Sequence, residues 1–202
     1  ALIEQSNVLP ELTRPIVIHP SLSEIPGEIK FDRIIGRNAL GKEVDKLKTV
    51  LDLVKLLNKD GIIILSETLP RRGQRLYNLL DKTWLSEKLF NKLVKAESAI
   101  YSNPDDAMVN WDIEDLEKIF IQAGLQVEVT QQKNSTQLYV TENLLNRWFT
   151  SNSKTRPSYV NHLEKELTKK EIEIVKNLFY KRLRNQIVNW ESAFSLLSAY
   201  CM

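Results

Sequence analysis

The chain has 202 residues, 43% of them apolar and 27% charged, with a formal net charge of +2. That is enough chain to bury a core, as one domain or as one domain with an extension. It excludes a global electrostatic field that would mark a nucleic-acid binder, so any basic patch must be local. The single cysteine, Cys201, excludes an internal disulfide framework and a thiolate metal cluster, and a cytoplasmic location is the expectation. An apolar run such as Ile62–Leu65 is far shorter than the roughly 20 residues that span a bilayer, so no membrane partner is expected. The chain opens Ala-Leu-Ile-Glu, without an initiator methionine or a signal-peptide pattern, which reads as a fragment of a longer protein.

In chain order, Pro15–His19 is a short strand stopped by Pro20, and Ser21–Pro26 is a turn-rich connection. Phe31–Ile35 is a second strand, aromatic at its start and β-branched at its end. Lys42–Leu57 carries apolar residues at Val44, Leu47, Val50, Leu51, Val54 and Leu57, a helical stripe. Asp60-Gly61 ends that excursion, and Ile62–Leu65 is a strand buried on both faces. Strand, helix and strand make a βαβ unit, hence a parallel sheet covered by helices.

Gly73–Lys95 is a second helical zone with a break near Asp81-Lys82, and 101–110 is a loop rich in turn residues. Trp111–Ala123 is a helix stopped by Gly124. Leu125–Thr130 and Gln137–Thr141 alternate as strands, and polar Gln131–Thr136 between them predicts an antiparallel hairpin. From Glu142 the pattern is helical, with a polar hinge over 151–158. Thr168 and Glu171 form a capping box. It opens a helix with a stripe of Ile172, Val175, Phe179, Leu183, Ile187 and Trp190. The expected fold is therefore α/β and Rossmann-like, a mostly parallel sheet with a terminal antiparallel hairpin, followed by an all-α C-terminal extension. The boundary falls near residue 150, giving an α/β domain over 1–150 and a helical extension over 151–202.

Ligands of such sheets sit at the carboxyl ends of the strands, here Gly36-Arg37-Asn38 and Ser66-Glu67-Thr68. Gly36 to Lys42 has P-loop spacing, yet Glu43 stands where Ser or Thr should hold magnesium. Arg71, Arg72 and Arg75 lie where a helix is expected to start, and could contact an anion or nucleic-acid phosphate. The tail helix is also basic, with acidic residues interspersed. His19 and His162 are the only histidines, and no metal-ligand spacing or hydrolase elbow is present. No residue is nominated as catalytic and none as a metal ligand.

The order of elements resembles the second half of the class I S-adenosylmethionine-dependent methyltransferase fold. Phe31-Asp32-Arg33-Ile34-Ile35-Gly36 resembles that family's fourth strand, Leu56–Leu65 its helix, turn and fifth strand, and Ile113–Val127 the next helix and the start of the sixth strand. The resemblance covers about residues 16–141. It implies a cofactor pocket near Ser21, Gly36, Arg37 and Asn38, with Ser21 at about the position of the family's adenine-side acid. The family's glycine-rich loop is not in this chain, so S-adenosylmethionine binding would require such a loop upstream of Ala1.

A narrower resemblance joins Gly36-Arg-Asn-Ala-Leu40, Ser66–Tyr77 and the tail residues Arg147-Trp-Phe, Arg156-Pro-Ser-Tyr159 and Trp190. These are similar to an extra methyltransferase-like region fused to AAA-type replication-associated recombination ATPases. It implies an accessory domain without independent catalysis, whose partner is an upstream, ATP-binding ATPase region of a longer chain, with DNA as a further partner. The alternatives are a methyltransferase completed by an upstream loop, and a nucleic-acid or protein interaction module.

Overall fold

The computed structural model describes residues 2–3, 16–151 and 157–201. Strands β1 (Leu2–Ile3) and β2 (Ile16–Val17) pair antiparallel in a sheet of their own. The main sheet starts at β3 (Phe31–Arg37), continues through helix α1 (Lys46–Lys55), and returns as β4 (Leu57–Thr68). β3 and β4 pair in parallel, from Arg33↔Ile62 to Arg37↔Ser66. This is the expected βαβ unit. The register shift between Phe31 and Arg33 absorbs the segment around Asp60-Gly61, so the expected tight turn is an irregularity inside β4.

Two more helices, α2 (Glu87–Tyr101) and α3 (Ile113–Gln122), precede β5 (Leu125–Tyr139). Gly124 adopts φ 82° and ends α3, a left-handed conformation that glycine reaches without penalty. Helices α4 (Glu142–Phe149), α5 (Tyr159–Leu163) and α6 (Lys169–Leu183) follow, and the chain closes with β6 (Ile187–Cys201). The strand order is β3-β4-β6-β5. β6 runs antiparallel to both neighbours.

The α/β class is as expected, but the details differ at four places. Ile16–Val17 is outside the main sheet. The helix expected from Gly73 is a series of 3₁₀ turns, Pro70–Arg72, Leu76–Leu79 and Lys82–Trp84, before α2 begins. The polar run Gln131–Thr136 is no turn: it is the middle of β5, exposed throughout, and it pairs with Trp190–Ser195 of β6. The extension after residue 150 is not all-α either. Asn185, at φ 62°, ends the helical stripe, and Ile187 and Trp190 belong to β6, which fills the place between β4 and β5. Only one of the three pairings in the sheet is therefore parallel. The hinge expected over 151–158 lies mostly outside the described residues.

Two cores result. The first lies on one face of the sheet, where Ile63, Leu65, Leu197 and Ala199 meet Val50 and Leu53 of α1 and Leu116 and Phe120 of α3. The second joins Leu93 of α2, Leu145 of α4, Leu163 of α5, and Ile172, Val175, Phe179 and Leu183 of α6. The β5–β6 ribbon, paired from Leu125↔Cys201 to Tyr139↔Ile187, connects them. Its first end is in the sheet core, and Leu138 and Val188 at its far end pack on the helical core. Among the described residues no helix is long and apolar enough to cross a membrane.

Candidate functional site

The carboxyl ends of β3 and β4 meet as the sequence implied. Gly36 is there because a Cβ would lie 2.7 Å from Leu65 Cδ2 and 3.2 Å from Ala39 Cβ. Its small size serves close packing of the strands, so no ligand is needed to explain it. Asn38 turns the chain at φ 50°. Its Oδ1 accepts from Thr68 N and Thr68 Oγ1, both at 2.9 Å, and its own N–H donates to Ser66 O at 2.9 Å. Asn tolerates this left-handed turn better than most residues.

Behind that turn, Glu67 is 1% exposed. Its Oε1 accepts from Ala39 N at 2.6 Å and Leu40 N at 3.1 Å. Burial pushes its carboxyl above the usual range. The N–H groups of Leu40, Ala39 and Gly41, and more weakly the Lys46 charge, oppose that rise. Gly41 contributes to this field without a hydrogen bond of standard geometry, and Oε2 has no hydrogen-bond partner among the described residues. Lys46 is buried too. Its Nζ donates to Glu43 O at 2.7 Å and Ala107 O at 2.9 Å, and lies 5.5 Å from the centre of the Trp111 ring. Burial lowers the Lys46 pKa, against the pull of Glu43 and Glu67. This cluster clasps the 38–46 loop onto the sheet end. Lys42 is exposed and α1 starts only at Lys46, so the P-loop spacing does not present a loop directly at a helix N-terminus.

Ser21, by contrast, lies on an exposed turn, its hydroxyl paired with Ser23 Oγ at 2.9 Å and Glu24 Oε1 at 3.2 Å. Arg37 is exposed. The three arginines expected to face an anion are largely engaged by the protein. Arg72 Nε binds Asp112 Oδ1 at 2.8 Å, and its other nitrogens bind Gln131 and Glu114. Glu114 and Asp112 raise its pKa. Arg75 donates to the carbonyls of Pro70, Gly73 and Arg71, and stacks 3.6 Å from the Tyr101 ring centre. Arg71 Nε donates to Val109 O at 2.7 Å. Its terminal nitrogens have no partner among the described residues and, with Arg75, line a cavity of 500 Å³.

A second buried carboxylate escaped the sequence reading. Glu97 of α2 is 1% exposed. It accepts from Leu76 N, from Tyr77 N at 3.1 Å and from Tyr159 Oη at 2.9 Å. Burial raises its pKa, against the hydrogen bonds from Leu76, Tyr159 and Tyr77. Burial, and then the nearby Glu97, holds the Tyr159 phenol well above its ordinary value. A signal existed: Leu89, Leu93 and Glu97 are spaced by four, so the acid stands in line with the apolar stripe of α2. A cavity of 360 Å³ beside it is lined by residues that include Leu76, Tyr101, Tyr159 and His162. Gly36, Arg37 and Asn38 line neither this cavity nor that beside Arg71. Among the described residues no cluster of three or more His, Cys, Asp or Glu could hold a metal ion.

No protein-family model matches the sequence, and no curated protein sequence does. Some solved structures resemble it in part. A candidate methyltransferase of Bacillus halodurans C-125 is 10% identical, with a TM-score of 0.40, over 85% of this chain and 64% of that one. The YcgJ protein of Bacillus subtilis is 12% identical, with a TM-score of 0.41, over 85% and 64%. Phosphoethanolamine N-methyltransferase 2 of Haemonchus contortus, bound to phosphomonomethylethanolamine and S-adenosylhomocysteine, is 14% identical, with a TM-score of 0.36, over 85% and 33%. The chain thus spans less than two thirds of each. At these identities the chemistry of those proteins does not transfer to this chain.

Proposed function

We propose that this chain is a methyltransferase-like accessory domain without independent catalysis, serving a AAA-type ATPase that acts in DNA replication and recombination maintenance in the cytoplasm. The observation that carries the non-catalytic reading is the closure of the strand ends. Ligands of open α/β sheets bind outside the carboxyl ends of the strands. Here Asn38 is bonded down to Thr68, and the Ala39 and Leu40 N–H groups are used by Glu67. Backbone groups that would otherwise face a cofactor are saturated by the chain itself. That closure supports a reading in which Ser21, Gly36, Arg37 and Asn38 hold no S-adenosylmethionine.

The ATPase reading rests on the short motifs Gly36–Leu40 and Ser66–Tyr77 and on the tail residues Arg147-Trp-Phe, Arg156-Pro-Ser-Tyr159 and Trp190, of which Asn38–Leu40 and Ser66–Thr68 build this closed corner. Two measurements test the proposal. Calorimetric titration with S-adenosylmethionine should give no binding heat, whereas micromolar binding would restore the enzyme alternative. Mixing the chain with the ATPase region as a separate polypeptide should give co-migration on gel filtration and a changed rate of ATP hydrolysis. Independent migration with unchanged hydrolysis would overturn the accessory role.

A further inference from the structure

This sheet is mixed, with one parallel and two antiparallel pairings, and among the described residues helices α1 and α3 cover one of its faces. That face carries Ile63 and Leu65. On the opposite face, pairing places Ile35, Ile64, Ser198 and Glu128 in one row across β3, β4, β6 and β5. Ile35 is 75% exposed there, and Leu196, in the next row, is 40% exposed. Ile62 and Ile64 are half-buried. The two middle strands therefore present a shallow apolar strip.

The charges on this face are asymmetric. β3, one edge of the sheet, has Arg33 and Arg37 on either side of Ile35, both exposed. β5, the other edge, has exposed Glu128 at the level of Ile35. None of these three has an ion-pair or hydrogen-bond partner for its side chain among the described residues.

We propose that this open face is the interface of a two-fold dimer of this chain, with the axis parallel to the strands. Such an axis keeps each residue's height along the strands and exchanges the two edges. β3 then lies over β5 of the second copy, and the apolar strips meet at the centre. Glu128 of the partner subunit faces the height of Ile35, between Arg33 and Arg37. Alternate residues on a strand are about 6.6–6.8 Å apart and stacked sheets about 10 Å apart, which long arginine side chains can bridge. The same contact forms twice, as an isologous interface requires. An in-plane axis across the strands would instead stack β3 on β3 and oppose the arginines, and like charges across an interface are unfavourable. The charge pattern thus selects both the partner, a second copy, and its orientation.

Sedimentation equilibrium over a range of protein concentrations tests this, with circular dichroism to confirm folding. The intact chain should dimerise with micromolar affinity. The Arg33→Glu/Arg37→Glu variant should dimerise at least tenfold more weakly, and so should Glu128→Arg. An equimolar mixture of the two variants should dimerise again, because opposite charges then face each other at both contacts. All three positions are exposed edge-strand sites, so the substitutions leave the cores intact. A monomer at every concentration overturns the proposal and would mean that another segment or protein covers the face. A dimer insensitive to these changes, or a weakening that the mixture does not reverse, also overturns it.

Discussion

Removing the Glu97 carboxylate should loosen the helical half of the molecule more than any surface change. In Glu97→Ala, the Leu76 and Tyr77 N–H groups and the Tyr159 hydroxyl lose their common acceptor. Each buried polar group left unpaired costs about 1–3 kcal/mol. Two effects offset this. The fold no longer buries a carboxylate, and water can enter from the adjoining 360 Å³ cavity. The lower end, about 3 kcal/mol in total, is therefore expected. For a chain of this size that lowers the melting temperature by roughly 6–12 °C. Glu97→Gln keeps one acceptor oxygen and should cost roughly half as much.

The pH dependence supplies a second readout. Glu97 is raised above its ordinary 4.5 by burial. The fold thus favours the protonated form. Its contribution to stability is fully present below pH 4.5 and is lost as pH rises through the elevated pKa. Glu97→Gln should lack that loss. Differential scanning calorimetry across this range measures both effects. Melting of Glu97→Ala within error of the intact chain would refute the idea that this carboxylate ties α2 to Leu76, Tyr77 and Tyr159.

Phe179→Ala should cost roughly 3–5 kcal/mol and lower the melting temperature by about 10 °C. Phe179 is fully buried and meets the Trp148 and Phe149 rings edge-on, at 6.0 and 5.4 Å between centroids. A small shift in a thermal melt would remove it from the core. Lys92, then Thr168, holds the Glu171 carboxyl down to about 2. Its contribution to stability is therefore present above about pH 4.5 and lost as pH falls towards 2. Denaturant titrations of Glu171→Gln should differ from the intact chain near neutrality and converge with it at low pH. If the chain binds DNA through Arg71, Arg71→Ala should flatten the log–log salt dependence by about 0.9. Arg72→Ala should instead lower stability and leave that slope alone, because Arg72 is spent on Asp112, Glu114 and Gln131. Fluorescence anisotropy at two salt concentrations separates these outcomes.

The sequence by itself determined the parts whose partners are near in the chain. The βαβ unit over 31–68 follows from a helical apolar stripe between two β-branched runs. The Thr168–Glu171 box that opens α6 and the Gly124 stop of α3 are local hydrogen-bond and φ requirements. The same locality placed Gly36–Asn38 beside Ser66–Thr68, because the crossover sets those strands side by side. Alternation also marked Leu125–Thr130 as a strand, but not its partner. That partner is β6, 48 residues beyond the end of β5 by the pairing Tyr139↔Ile187. Local pattern also misled: Ile187 and Trp190 extend the spacing of Leu183 by chance, and a solvent-exposed ribbon reads like a turn. Tertiary structure alone decided that Arg72 would meet carboxylates and Arg75 carbonyls, while Arg71 spends only its Nε on a carbonyl. It also decided which groups would meet the buried Glu67 and Glu97, and which sheet face the described helices would cover. Those outcomes depend on which distant groups share a low-dielectric interior; the spacing of Leu89, Leu93 and Glu97 points to a buried acid but to none of the groups that meet it.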